Sequence, residues 1–285
     1  MMKKCMLCKT KYADKTGSHM VPHFLLKRIE NIKGKKGRGY ELGFTIQESE
    51  IKFHFGQSVL PEKLEEVIGE ITDKEREENR NPHIVDHIFC SDCEKRLAVV
   101  ESAYAKTITK TGTEDYESGI ISSLGMLFWA SIVWRMSING KSGVILKSDQ
   151  NEKLRQILDC FLPDKIENLD ENGIKENGLM NSMSYKLMRL TELNDEDAKF
   201  LLFHPDFYNP LCILIGEFLL CFSLENRYDD LNTKDLFGIN KMVNDSSTNT
   251  VLGNEVIKPI DRTTSKMFES NVVTRIKKEY HGKAK

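Results

Sequence analysis

The stretch ISSLGMLFWASIVWRMSI, residues 121–138, is apolar on nearly every side. A surface helix shows one apolar stripe, so a helix that is greasy all round belongs at the centre of a core. Around it the pattern changes several times. HFLLKRIEN (23–31) has helical spacing, and Pro22 ends any strand leading into it. YELGFTIQESEIKFHFGQ (40–57) has strand character, with Phe44 and Ile46, then Ile51, Phe53 and Phe55, in alternation. PEKLEEVIGEITDKEREENRNP (61–82) is a charged helical excursion closed by Pro82. HIVDHIF (83–89) predicts a short strand, and a helix follows from Cys90.

Beyond the apolar helix, NEKLRQILDCFL (151–162) and SYKLMRLTEL (184–193) read as further helices. NPLCILIGEFLLCFSLE (209–225) is an apolar run broken by Gly216, which predicts a β-hairpin with buried strands. It is short for a membrane span and carries Glu217. DSSTNTVLGN (245–254) is a polar loop, and TSKMFESNVVTRIKKEY (264–280) a closing helix with a basic end. The reading is α+β. An N-terminal unit, residues 1–110 with an inserted segment at 30–82, precedes a mainly α-helical region, residues 111–285, with one small β-hairpin.

Composition adds that 285 residues with 40% hydrophobic and 29% charged side chains can bury a sizeable core. No uninterrupted apolar run long enough to cross a membrane is present, and MMKKCMLCKT has a basic start without an apolar continuation. The expectation is a cytoplasmic chain with no membrane partner. Charge is uneven. Residues 1–40 carry eleven Lys or Arg against two acids, Asp14 and Glu30, a local +9 in a chain of net charge −2. That end suits a polyanion, and Lys33, Lys35, Lys36 and Arg38 in the glycine–lysine loop are its candidate nucleic-acid contacts.

Four of the seven cysteines form two pairs, Cys5-x-x-Cys8 and Cys90-x-x-Cys93, separated by 81 residues. Each tight turn lets two thiolates face one ion, and two turns supply the four soft ligands of a closed structural Zn²⁺ site. A redox dithiol would open a helix after a strand in a βαβ unit, which neither pair does. Cys160, Cys212 and Cys221 stand alone in apolar surroundings and read as core residues. Glu94 and Glu101, seven apart on the helix after the second pair, fall on one face. They suit either metal ligands or ordinary rim carboxylates. Arg135, ending the apolar helix, suits a core carboxylate better than a phosphate.

CMLCKTKY…SHMVP followed by FCSDCE resembles the HNH, or His-Me finger, endonucleases with a four-cysteine zinc site. More narrowly, it is similar to small bacterial proteins carrying C-x-x-C, S-H-I-I-P-x-F and L-L-C-x-x-C-E with a later Glu. The matching positions are Cys5, Cys8, Ser18, His19, Pro22, Phe24, Cys90, Cys93, Glu94 and Glu101. The likeness covers about the first hundred residues, and a helix like LFWASIVWR extends it weakly. It implies a zinc-braced ββα-metal-like domain in which His19 is the general base for DNA phosphodiester hydrolysis. It also implies structural zinc on the four cysteines, a catalytic Mg²⁺ or Mn²⁺, and a role as a bacterial defence effector. Two departures stand out. Ser18 occupies the place where many relatives have a metal-binding His or Asp, and the closing His or Asn of the helix is missing, so Glu94 or Glu101 would substitute. His23 is a further candidate ligand or a solvent-facing helix residue. Asp86, His87 and Asp92 lie near the second pair as reserves. His54 and His83 have no pattern around them. The alternatives are a catalytically degenerate module that binds nucleic acid or protein, and a scaffold whose C-terminal region docks a protein partner or a second copy.

Overall fold

The computed structural model describes residues 3–26, 42–46, 50–56, 58–79, 83–108, 116–139, 142–190, 200–204, 210–225 and 248–281. A two-residue strand β1 (Ser18–His19) is followed, after Pro22, by the short helix α1 (His23–Leu26). Strands β2 (Leu42–Ile46) and β3 (Ile51–Phe55) pair antiparallel, with Phe44 opposite Phe53. Helix α2 (Pro61–Val67) starts on Pro61, whose missing N–H costs nothing in a first turn. Helix α3 (Asp73–Glu78) starts on a reciprocal Thr72/Glu75 capping box. Strand β4 (Ile84–Val85) returns antiparallel to β1, with Ser18 opposite Val85 and His19 opposite Ile84. Helix α4 (Ser91–Thr107) follows at once. The order is therefore strand, strand, helix, with a long excursion between the two strands.

Strand β5 (Tyr116–Ile121) leads into α5 (Ser122–Ile138), the apolar helix anticipated from its pattern. Every residue from Ser122 to Met136 is buried. Helix α6 (Ser148–Phe161) packs on α5, and the short helices α7 (Glu171–Glu176) and α8 (Gly178–Asn181) lie beside them. The remaining elements are β6 (Ser184–Leu190), β7 (Phe200–His204), β8 (Leu211–Ile215), β9 (Phe218–Ser223), β10 (Asn254–Ile260) and α9 (Arg262–His281).

Among the described residues, eight strands form one sheet in the order β3-β2-β7-β8-β9-β6-β10-β5. Both faces are covered. Tyr185, Leu187, Ile213, Phe218, Leu220 and Ile257 join a cluster with α4, α5 and α6, while Met188, Leu190, Leu214, Leu219 and Cys221 join a second with Leu64, Ile68 and Ile276. The fold is mixed α/β. Among the described residues, no helix is long and apolar enough to cross a membrane.

The expectation of a mainly helical region after residue 111 needs correction, because strands β5 to β10 all lie there. SYKLMRL, expected as a helix, is strand β6. Leu, Met, Lys and Arg favour helices in isolation, but β6 lies between β9 and β10 and is buried at every position. A strand covered on both faces gives no clean alternation, so its pattern resembles a buried helix. The hairpin at 209–225 is β8–β9, turned at Gly216 in the left-handed region with φ +57. Cys212 and Cys221 are buried as expected, but Cys160 is exposed. It falls on the outer side of α6, whose inward stripe is Leu154, Ile157 and Leu158.

Candidate metal centre and active site

Cys5, Cys8, Cys90 and Cys93 come together with all four Sγ atoms within 4.8 Å of one another. Among the described residues this is the one such group of three or more ligand atoms, and it could hold a metal ion. The first pair sits on a turn closed by Lys9 N donating to Cys5 O at 2.9 Å, with Lys9 itself left-handed at φ 57. The second pair opens α4. Cys90 occupies its N-cap without a side-chain cap bond. Asp14 takes that role from outside the helix, accepting from Ser91 N at 2.7 Å and Ser91 Oγ at 3.0 Å. Those bonds from Ser91 hold the Asp14 carboxyl below its usual range. The neighbouring Cys93 side chain holds the Cys5 thiol down to about 4, while Cys5, together with burial, pushes the Cys93 thiol up.

The backbone seals the two segments. Met6 N donates to Ile88 O at 2.9 Å, Lys15 N to Phe89 O at 3.1 Å, and His87 N to Lys15 O at 2.7 Å. From below, Arg155 of α6 donates to Leu7 O at 2.6 Å, and Phe89 packs on Trp134 of α5. Part of the positive charge at this end is neutralised within the fold. Lys9 pairs with Glu152 at 2.7 Å and Lys11 pairs with Asp92. Lys33, Lys35, Lys36 and Arg38 lie outside the described residues.

The strand and helix next to this centre bring together Ser18, His19, Glu94, Glu101 and Arg135. Ser18 is buried on β1 and donates to Glu94 Oε2 at 3.0 Å. Glu94 and Glu101, seven apart on α4, lie close enough for the Glu101 charge to act on the Glu94 carboxyl. Burial raises the Glu94 carboxyl, the neighbouring Glu101 charge adds to that, and the Ser18 bond, Arg135 and Lys15 pull the other way. Glu101 pairs with Arg135 of α5 at 2.6 Å, and the same Nη1 donates to His19 O at 2.9 Å. His19 is partly buried and His23 is exposed at the start of α1. Of the reserve positions, Asp86 accepts from Gly17 N at 2.7 Å, His87 Nδ1 lies 3.2 Å from Ala13 O, and Asp92 is held by Lys11.

The sequence favoured a core carboxylate over a phosphate as the partner of Arg135, and the structure gives it the carboxylate of Glu101. It missed Asp14 as the cap of α4 and Arg155 as the brace of the first knuckle, because both act across long sequence separations without a local signature. It also gave no role to His54 and His83. These rings are buried with their Nε2 atoms 2.9 Å apart, and His83 O accepts from Met20 N directly after His19. No protein-family model, no curated protein and no solved structure matches this chain.

Proposed function

We propose that the chain is a metal-dependent endonuclease of the HNH type that hydrolyses DNA phosphodiesters. The observation that carries this reading is the order of elements around the cysteine cluster. An antiparallel β1–β4 pair bearing His19 is followed by α4 bearing Glu94 and Glu101, and four cysteines join the start of the chain to the start of that helix. In this reading the cluster holds Zn²⁺ in a structural role, because four thiolates close its coordination sphere and leave no position for water. His19 takes a proton from the attacking water. Glu94 and Glu101 offer oxygen atoms to Mg²⁺ or Mn²⁺, which would supply charge stabilisation at the phosphate. Lys15, exposed and acting electrostatically on Glu94, is offered as a contact for the substrate backbone.

A second reading, a binding module on the same scaffold, is favoured by one set of facts. Ser18 spends its hydroxyl on Glu94 and Glu101 is engaged by Arg135. Among the described residues, the cysteines alone approach the spacing of a metal cage. The two readings separate in one assay. Plasmid and single-stranded DNA are incubated with Mg²⁺ or Mn²⁺ and either the wild type or His19→Ala, after metal analysis shows equal zinc in both. Cutting by the wild type alone, abolished by EDTA at constant zinc content, supports the nuclease. Salt-sensitive binding without cutting, unaffected by His19→Ala, supports the binding module.

A further inference from the structure

We infer that Arg135 is the positioning residue of this site, fixing His19 and Glu101 relative to each other, and that it does not itself meet nucleic-acid phosphate. The inference rests on the nuclease reading above for its catalytic meaning. Its structural basis is independent of it. Arg135 is the one charged residue of α5, a helix whose other inward positions are apolar or small, and it is 2% exposed. A guanidinium removed from water this completely is costly unless it is fully hydrogen-bonded, and an aliphatic side chain would fill the space without that cost. The group therefore has work to do that packing does not require.

Its hydrogen bonds show what the work is. Nε donates to Ser131 O at 3.1 Å and Nη2 to Ser131 Oγ at 3.2 Å, one turn back on the same helix. Ser131 Oγ is itself aimed by donating to Phe128 O at 2.7 Å. One side of the planar fork is thus set by α5. The other side, Nη1, projects onto two groups from different elements: the main-chain carbonyl of His19 on β1 and Oε1 of Glu101 on α4. A rigid fork anchored at one end and bonded to both partners at the other determines their separation. It engages Glu101 through Oε1, which leaves Oε2 with its lone pairs for a divalent cation. At 2% exposure it lies too deep to meet the backbone of a duplex. Lysine replaces it poorly, because a compact ammonium lacks the planar fork that reaches Ser131 on one side and His19 and Glu101 on the other.

The test uses full-length, zinc-loaded protein carrying Arg135→Lys, with Ser131→Ala as a milder variant that loosens the guanidinium while keeping its charge. Three quantities are read: the His19 Cε1–H resonance, assigned with His19→Ala; Mn²⁺ affinity by water-proton relaxation; and single-turnover DNA cleavage beside DNA affinity. Both variants should keep zinc and DNA affinity. They should shift the His19 resonance, weaken Mn²⁺ binding about tenfold for Arg135→Lys, and slow the cleavage step about 10–100-fold. Ser131→Ala should move each in the same direction by less. An unmoved His19 resonance with unchanged Mn²⁺ affinity, in either folded variant, overturns the inference. So does a loss of DNA affinity at an unchanged cleavage rate, which would make Arg135 a phosphate contact. If the wild type cuts nothing, the nuclease reading falls, while the resonance and the Mn²⁺ titration still decide whether Arg135 positions the pair.

Discussion

Arg135 Nη1 lies 2.6 Å from Glu101 Oε1, with the guanidinium side chain 3% exposed and the carboxylate 23% exposed. The pair is asymmetric: one partner is sealed in the core and the other opens toward the surface. Removing the carboxylate strands a buried cation, which is more damaging than removing both charges. Glu101→Leu should therefore lower stability by about 3 kcal/mol. The double change Arg135→Met with Glu101→Leu should recover part of that loss. Urea midpoints of the two proteins check this, and a double variant less stable than Glu101→Leu would refute it.

The four thiols should bind one tetrahedral ion. Metal analysis of the purified chain should give about one zinc per molecule. Replacement by Co²⁺ should produce the strong visible bands of a tetrathiolate site. Cys90→Ser should lose the ion and, because the cluster joins the start of the chain to α4, lower the melting temperature. Cys160→Ser, at an exposed position, should change neither.

His54 and His83 give the fold a defined response to acid. Burial pulls His54 down to about 4, and burial together with the neighbouring His54 pulls His83 well below its ordinary value of 6.5. Both rings are neutral in the folded chain, whereas the unfolded chain takes up protons below about pH 6.5. Stability is therefore complete above that pH and is lost as pH falls from about 6.5 toward 4, with His54 alone contributing on the order of 3 kcal/mol. Unfolding midpoints at pH 7.5, 6 and 5 should drop more steeply for the wild type than for His54→Gln with His83→Gln. Equal slopes would show that the pair does not carry the dependence.

A buried polar network holds α4, α5 and the sheet together. Tyr104 donates to Glu255 at 2.9 Å, accepts from Trp129 Nε1 at 2.7 Å, and shares Glu255 with Tyr185, whose hydroxyl lies 2.5 Å from Oε2. Tyr104→Phe removes the acceptor of a buried indole N–H and one donor to a buried carboxylate. It should cost about 1–3 kcal/mol. Trp129 emission should shift as its hydrogen bond is lost, and an unchanged spectrum with unchanged stability would contradict the network.

Features that follow local rules were legible along the chain alone. Two C-x-x-C turns in a chain without a disulfide pattern named the ligand cluster. A helix apolar on every side named the central element α5. Gly216 between two apolar runs named a hairpin, and the spacing of Glu94 and Glu101 put them on one side of a helix. Tertiary structure decided what depends on distant partners. SYKLMRL is a strand because β9 and β10 flank it, not because of its composition. The region after residue 111 is built on a sheet because strands buried on both faces lose the alternation that would announce them. Asp14 caps a helix that begins 77 residues later, and Arg135 joins His19 to Glu101 across three elements. Such contacts form only when the chain closes on itself, where a buried charge must find partners wherever the fold supplies them.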